Sequence, residues 1–224
     1  MKTEYKFYFL LIILQLMPSC QNRHKSSPGS QKSPSVPQAS KDYFQEIGKE
    51  IGLDFVHSIG DNDLSNIVES VGGGAAFLDY DQDGFIDLYI CSGTYLEGFN
   101  HSEKQSGSSG NRLYRNRHDG TFEDVTKLAG VDGGGAYSMG ITIGDYNNDG
   151  YPDIYVCNYG PNILYKNNGN GTFTNVSKTA NIEGNECSVG AVWLDYDNDG
   201  LLDLYVGNYL YFDPNYKYAE ASGN

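Results

Sequence analysis

Residue types that build most catalytic and soft-metal centres are scarce in this chain. Its 224 residues include four cysteines, four histidines and one tryptophan. No Gly-x-Ser-x-Gly, His-Glu-x-x-His or phosphate-loop motif occurs, so the sequence gives no support to serine-hydrolase, zinc-protease or P-loop chemistry. The cysteines also lack the paired spacing of a zinc site. We therefore predict that the chain is not an enzyme.

Positive charge is also scarce. The chain has 15 Lys and Arg against 29 Asp and Glu, a formal net charge of −14. Because proteins hold phosphate backbones with basic patches, this balance argues against a nucleic-acid partner. The abundant residues are 28 Gly and 19 Tyr, which are typical of an all-β, loop-rich chain.

Long apolar runs are missing except at the N-terminus. Residues 7–17 form an apolar stretch that follows two lysines. This stretch is shorter than the ~20 residues of a membrane span, and its pattern is that of a signal peptide over residues 1–20. Ser19 before Cys20 favours a lipoprotein-type signal with a lipid on Cys20. The two residues before Ser19 are not preferred there, so ordinary cleavage is the alternative.

The segment after the signal, residues 21–41, is rich in Ser, Pro, Gln and Lys. Such a composition predicts a flexible tether. No later segment is apolar enough to span a membrane, so we expect membrane contact only through a lipid anchor at Cys20. The predicted location is the cell envelope, as an outer-membrane lipoprotein, or otherwise the secreted fraction.

An acidic loop of nine residues occurs three times, at residues 79–87, 145–153 and 195–203. We call these loops 1, 2 and 3 and count positions from the first Asp. Each has oxygen-bearing side chains at positions 1, 3, 5 and 9, and Gly at position 6. The Gly permits a sharp turn. Carboxylates this dense repel one another without a cation, and an all-oxygen donor set favours calcium.

The loops differ from EF-hands. Position 12 is Ile90, Val156 or Val206, whereas an EF-hand has a bidentate Glu there and flanking helices. The flanking residues are β-branched and aromatic, which predicts that each loop joins two strands. Asp, Asn and Gly also form ordinary turns without metal, but three copies of the same oxygen positions favour a cation site.

The repeat extends beyond the loops. Residues 111–116 (Asn-Arg-Leu-Tyr-Arg-Asn) return as residues 162–167, and residues 120–126 (Gly-Thr-Phe-Glu-Asp-Val-Thr) return as residues 171–177. The unit is four strands at a period of about 50 residues, which describes a β-propeller blade; a solenoid of stacked hairpins is the alternative. A loop-like insertion at residues 96–110 separates loops 1 and 2 more widely and is a candidate contact loop.

These loops and repeated segments resemble the FG-GAP/VCBS repeat family of integrin-α-type propellers, over roughly residues 42–212. Residues 52–57 and 72–80 are similar to the opening of its ASPIC/UnbV-containing group, which includes the cartilage acidic proteins. The resemblance implies an all-β fold, a partial β-propeller of four-stranded antiparallel blades with calcium loops between the first and second strands.

The resemblance also implies a ligand set for Ca2+. Side chains at positions 1, 3, 5 and 9 and the backbone carbonyl at position 7 would hold each ion. These residues are Asp79, Asp81, Asp83, Phe85 and Asp87 in loop 1, Asp145, Asn147, Asp149, Tyr151 and Asp153 in loop 2, and Asp195, Asp197, Asp199, Leu201 and Asp203 in loop 3. Because Asn147 removes one negative charge, we predict that loop 2 binds calcium more weakly than the others.

Within the propeller portion, residues 42–224, the blades number about two and a half. One covers residues 74–126, another residues 138–177, and the third has only its first two strands, by about residue 208. An open arc leaves blade faces uncovered, so the chain is expected to be an N-terminal fragment. Residues 44–55 resemble the end of a blade and would complete the last one in a closed ring.

Two cysteines, Cys157 and Cys187, lie near the ends of neighbouring blades. A disulfide between them is one interpretation. The other is that they fill small apolar spaces.

The predicted function is an exported calcium-binding module, with structural calcium, that mediates extracellular binding or adhesion. Its partner would be an extracellular protein or carbohydrate on the face opposite the loops. The alternative is a part of a carbohydrate-active, polysaccharide-degrading protein. That role needs a single catalytic carboxylate pair, whereas the acidic loops occur three times.

Overall fold

The computed structural model describes residues 45–64, 67–97 and 110–210. The predicted signal peptide, Cys20, the tether and most of the insertion lie outside these ranges. The described residues form ten strands, all paired antiparallel, and two helices of one turn.

The first repeat is a four-stranded sheet in sequential order, with each strand antiparallel to the next. Its strands are β1 (Ala75–Leu78), β2 (Asp87–Ile90), β3 (Arg112–Asn116) and β4 (Phe122–Asp124), and the helix α1 (Thr126–Ala129) follows.

The second repeat has the same four-stranded order. Its strands are β5 (Tyr137–Gly144), β6 (Asp153–Tyr159), β7 (Ile163–Asn167) and β8 (Phe173–Asn175), followed by the helix α2 (Ser177–Ala180). The third repeat is the hairpin of β9 (Cys187–Leu194) and β10 (Asp203–Leu210), which joins the second sheet through one residue pair, Tyr159 with Cys187. The prediction of an all-β partial propeller with loops between first and second strands is confirmed.

The first and second repeats each bury one face against the repeat that follows. Tyr80, Tyr89 and Leu113 of the first repeat pack in one cluster with Ile154 and Tyr165 of the second. At the next boundary, Tyr155 and Leu164 pack with Trp193, Leu204 and Val206. Because strand side chains alternate between faces, neighbouring positions in a second strand contact opposite neighbours: Ile154 faces the first repeat and Tyr155 the third.

The repeat unit predicted from the sequence had four strands and did not include the one-turn helices. α1 starts where the Asp124 carboxylate accepts a hydrogen bond from the Thr126 N–H at 2.9 Å. The Thr126 hydroxyl accepts one from the Leu113 N–H at 2.9 Å, which ties the helix back to β3. The Asn-Val-Ser segment of the second repeat makes the equivalent contacts. The recurring Asp-Val-Thr and Asn-Val-Ser triplets are therefore the signal for these turns.

The blade-end segment before loop 1 does not complete the last blade. The Phe122 N–H donates to the Ile51 carbonyl at 2.7 Å, and the Tyr114 hydroxyl donates to Asp54 Oδ1 at 3.0 Å. Residues 51–54 therefore lie along the outer edge of the first repeat, and that prediction is wrong. The edge strand β4 has unpaired backbone groups of its own, and Ile51 satisfies one of them.

The three described cysteines, Cys91, Cys157 and Cys187, are free and buried. The bridge between Cys157 and Cys187 is therefore not formed, and the filler interpretation applies. In the described parts of the chain, no helix is long and apolar enough to cross a membrane.

Candidate metal centre

The first Asp of each loop closes the turn by accepting two backbone hydrogen bonds. In loop 1, Asp79 Oδ1 accepts from the Asp83 N–H at 3.1 Å and Oδ2 from the Gly84 N–H at 3.0 Å. Asp145 and Asp195 do the same in loops 2 and 3. Gly84 has a φ of 87°, a conformation that side chains disfavour, which explains the Gly at position 6.

The Asp at position 5 shapes the second half of the loop. Its Oδ1 accepts a hydrogen bond from the position-7 N–H, at 2.9 Å in loop 1, 3.1 Å in loop 2 and 2.8 Å in loop 3. The pairs are Asp83 with Phe85, Asp149 with Tyr151, and Asp199 with Leu201. The other oxygen, Oδ2, is left for partners outside this turn.

The Asp at position 9 differs between loops. Asp87 is fully buried and accepts from the Tyr80 N–H at 3.1 Å and from the Asn116 N–H, on the third strand, at 2.9 Å. Asp153 repeats both contacts in loop 2. Asp203 is exposed and, among the described residues, accepts only the first kind of hydrogen bond, from the Tyr196 N–H at 2.8 Å.

Burial has an electrostatic consequence for the position-9 carboxyls. Desolvation raises the pKa of Asp87 and of Asp153 to about 6 each, against the opposing effect of their backbone hydrogen bonds. A charged carboxylate is therefore costly at these positions unless a positive charge lies nearby.

Loop 1 brings three predicted ligands together. One oxygen each of Asp79, Asp81 and Asp83 lies within 4.8 Å of the others. Asp81 Oδ1 is buried without a hydrogen-bond partner, and burial, followed by the charge of Asp83, raises the pKa of Asp81. A buried carboxylate oxygen without a donor is rare in proteins. This donor set fits a hard cation such as calcium.

Loop 3 brings together a different three, Asp195, Asp197 and Asp203, again within 4.8 Å. Here position 9 joins the cluster in place of position 5. In loop 2 no such group of three carboxylates forms within the described chain.

The position-5 carboxylate of loop 2 has other partners. Asn147 Nδ2 donates to Asp149 Oδ2 at 3.0 Å, and Lys166 Nζ lies 3.1 Å from the same oxygen. Lys166 was not among the predicted site residues, although it stands inside the repeated Asn-x-Leu-Tyr-x-Asn segment.

A second residue that sequence reasoning missed is His118. It lies in the turn between β3 and β4, with Nε2 2.6 Å from Asp83 Oδ2 and its ring stacked on Phe85 at a centroid distance of 3.8 Å. The Phe85 N–H, and then His118, hold the pKa of Asp83 below its usual value. A side chain from the outer hairpin thus reaches position 5 in both complete repeats.

The repeated asparagines connect neighbouring repeats at the end away from the loops. Asn111 Nδ2 donates to Ser138 Oγ at 3.1 Å and its Oδ1 accepts from the Ser92 N–H at 3.0 Å. Asn162 bonds to Ser188 Oγ at 3.0 Å in the same way. These buried contacts explain the first Asn of each Asn-x-Leu-Tyr-x-Asn segment.

The first repeat also has a cleft of about 670 Å³ at the end of the sheet opposite loop 1. Arg112, Lys127 and Asp132 line it, together with Asp124, whose carboxylate lies 3.3 Å from Arg112. Charged groups of both signs and an exposed Leu128 make this a polar surface with a small apolar area.

Comparison with known proteins agrees with this geometry. The family model for the FG-GAP-like repeat matches residues 79–156 and 145–206, together more than half of the chain. Over 56 residues, 25% of this chain, the sequence is 45% identical to cartilage acidic protein 1 of Homo sapiens. The corresponding identities are 41% for the Mus musculus protein and 39% for the Xenopus tropicalis protein. The match spans 8% of the human protein and 9% of each of the other two.

Proposed function

The chain belongs to the FG-GAP-like repeat family, and on that premise we propose that loops 1, 2 and 3 bind calcium and that the ions keep the propeller-like module folded. The observation that carries this proposal is the buried, unpartnered Asp81 Oδ1 within a group of three carboxylates. The side chains at positions 1, 3, 5 and 9 and the position-7 carbonyls would hold each ion. A bound calcium ion would supply positive charge to the clustered carboxylates, and its role would be structural.

The physical basis is linkage between binding and folding. An ion that binds only the folded loops stabilises the folded state by about 2.7 kcal/mol at a concentration of 100 times its Kd. Because each loop joins the first two strands of its repeat, that stabilisation applies directly to the hairpins.

The first experiment is a calcium titration by calorimetry, with thermal unfolding in calcium and in chelator. We expect binding with a stoichiometry of three and a lower melting temperature in chelator. The variant Asp81→Asn should lose about one ion. Glu50→Gln removes the same charge at an exposed position and should keep all three. Absence of calcium binding by folded protein would contradict the proposal.

We further propose that the module is exported and contacts an extracellular protein or carbohydrate through the face opposite the loops. The cleft lined by Arg112 and Lys127 supports this surface, because it offers hydrogen-bond donors and acceptors side by side. Binding to arrays of matrix proteins and polysaccharides, compared with a Lys127→Ala/Leu128→Ala variant, tests it. Cleaved polysaccharide in the same assay would favour the carbohydrate-active alternative.

Anchoring through Cys20 is the remaining part of the proposal. We expect the expressed protein to fractionate with membranes and the Cys20→Ser variant to lose that association. Equal membrane association of both forms would exclude a lipid at Cys20.

A further inference from the structure

Position 4 of each loop has a positive backbone φ. Gln82, Asn148 and Asn198 have φ values of 57°, 54° and 59°. This left-handed conformation is uncommon for residues other than Gly. Its recurrence in three loops indicates a shared structural role.

The side chains at position 4 reach the next loop along the chain. Gln82 Nε2 donates to the carbonyl of Gly150, and Asn148 Nδ2 donates to the carbonyl of Gly200 at 3.0 Å. Both acceptors are the position-6 Gly. No loop follows loop 3 within the described ranges, so Asn198 makes no equivalent contact there.

We infer that the position-4 side chain of one loop is a positioning residue for the next loop, and that it couples calcium binding in neighbouring loops. The inference rests on the proposed calcium function. Positions 3 and 5, on either side of position 4, are predicted ligands, so filling a loop fixes the backbone from which the donor extends.

The receiving Gly connects that donor to a ligand of the next loop. The Gly200 carbonyl accepts from Asn148, and the Gly200 N–H donates to Asp195 Oδ2 at 3.0 Å. Gly150 has the same pair of contacts, with Gln82 and with Asp145. A filled loop thus holds the turn of its neighbour in place before that neighbour binds. By linkage, the effect on affinity is equal in both directions.

Loops 1 and 2 have more connections to each other than loops 2 and 3, so the two pairs are not equally suited to a test of coupling. Asn167 Nδ2 also donates to the Tyr80 carbonyl at 2.8 Å, which gives loops 1 and 2 a second connection. For loops 2 and 3, the Asn148 contact is the direct loop-to-loop hydrogen bond in the described structure. The pair of loops 2 and 3 is therefore the sharper test.

The experiment is a calcium titration of the full chain followed through the backbone amide resonances of Gly150 and Gly200, which report loops 2 and 3 separately. The unaltered chain is compared with Asp145→Asn, which disables loop 2, with Asn148→Gly, which removes the donor but accepts positive φ, and with the double variant. Asn198→Gly is the matched control, because it makes the same change where no following loop is contacted.

We expect the calcium affinity of loop 3 to fall about fivefold in Asp145→Asn, at the low end of typical coupling between sites. Asn148→Gly should cause a similar fall, and the double variant no further fall. Asn198→Gly should leave loop 2 unchanged. If Asp145→Asn fails to fold, the comparison of Asn148→Gly with Asn198→Gly still shows whether the position-4 donor affects the calcium affinity of the neighbouring loop.

A loop 3 affinity that is independent of loop 2 would overturn the coupling while leaving calcium binding intact. Dependence that persists in Asn148→Gly would overturn the role of Asn148. Failure of both glycine resonances to respond to calcium would instead contradict the proposed function, and the coupling with it.

Discussion

The second and third repeats carry similar residues at equivalent positions and differ in what covers them. Tyr155, on the second strand of the second repeat, is 1% exposed because the third repeat packs over it. Tyr205, its counterpart in the third repeat, is 66% exposed. The difference shows that the repeat sequence determines which face of a blade is apolar, and that burial depends on the neighbouring blade.

The loops show the same contrast. Asp153 accepts a hydrogen bond from the Asn167 N–H on the third strand at 2.7 Å, whereas Asp203 has no third strand beside it in the described chain. Asp203 is then exposed and joins the carboxylate cluster of loop 3. In the two complete repeats, the third strand therefore gives the position-9 carboxylate a backbone hydrogen bond that Asp203 lacks in the described chain.

Among the changes that test this contrast between the repeats, removal of calcium should affect stability most. We expect chelation to destabilise the chain by about 2.7 kcal/mol for each loop that had been held at 100 times its Kd. Because the described part of the third repeat is a two-stranded hairpin, its amides should lose protection from hydrogen exchange first. Exchange measured by mass spectrometry with and without chelator tests the order. Equal loss of amide protection in all three repeats would contradict the expected order.

The next largest effect on stability should come from replacing the buried tyrosine of this pair, and the exposed one provides the comparison. Tyr155→Ala removes a buried ring that packs edge-on against Trp193 at a centroid distance of 6.2 Å, and should cost about 3–5 kcal/mol of unfolding free energy. Tyr205→Ala should cost less than about 1 kcal/mol, because the ring is already largely in water. Urea unfolding of both variants in saturating calcium measures the difference. Similar costs would mean that Tyr205 is covered in solution.

Much of this contrast could be predicted from sequence, because it depends on local repetition. Alternation places Tyr89, Tyr155 and Tyr205 on the same face, and the spacing of oxygens identified which carboxylates share a loop. The contacts of His118 and Ile51 could not be predicted, because strand pairing brings them from distant parts of the chain to Asp83 and Phe122. The backbone role of Asp87 was missed for the same reason, since its partner amide lies on the third strand.

A smaller effect is expected from the buried asparagine between the second and third repeats. Asn162→Ala removes the hydrogen bonds to Ser188 Oγ and from the Asn158 N–H, at 3.0 and 2.8 Å. Leaving these buried groups unpaired should cost about 1–3 kcal/mol. Asn111→Ala, the equivalent change between the first and second repeats, should cost a similar amount, because Asn111 bonds to the Tyr89 hydroxyl as Asn162 does to that of Tyr155. A large difference between the two variants, measured by urea unfolding, would contradict this equivalence.

The smallest expected effect concerns Lys166, whose ammonium lies 3.1 Å from Asp149 Oδ2 in loop 2. A bound calcium ion would compete with this ammonium for the same oxygen. Lys166→Met keeps the length of the side chain and removes the charge, so loop 2 should bind calcium more tightly. The gain should be less than about fivefold, because the pair is partly exposed and screened by solvent. Loop 3 supplies the internal reference, since no described cationic side chain contacts Asp199. Calcium titration followed at Gly150 and Gly200 should therefore show a shift in loop 2 larger than any in loop 3. A weaker loop 2 in Lys166→Met would mean that the ammonium orients Asp149 for the ion rather than opposing it.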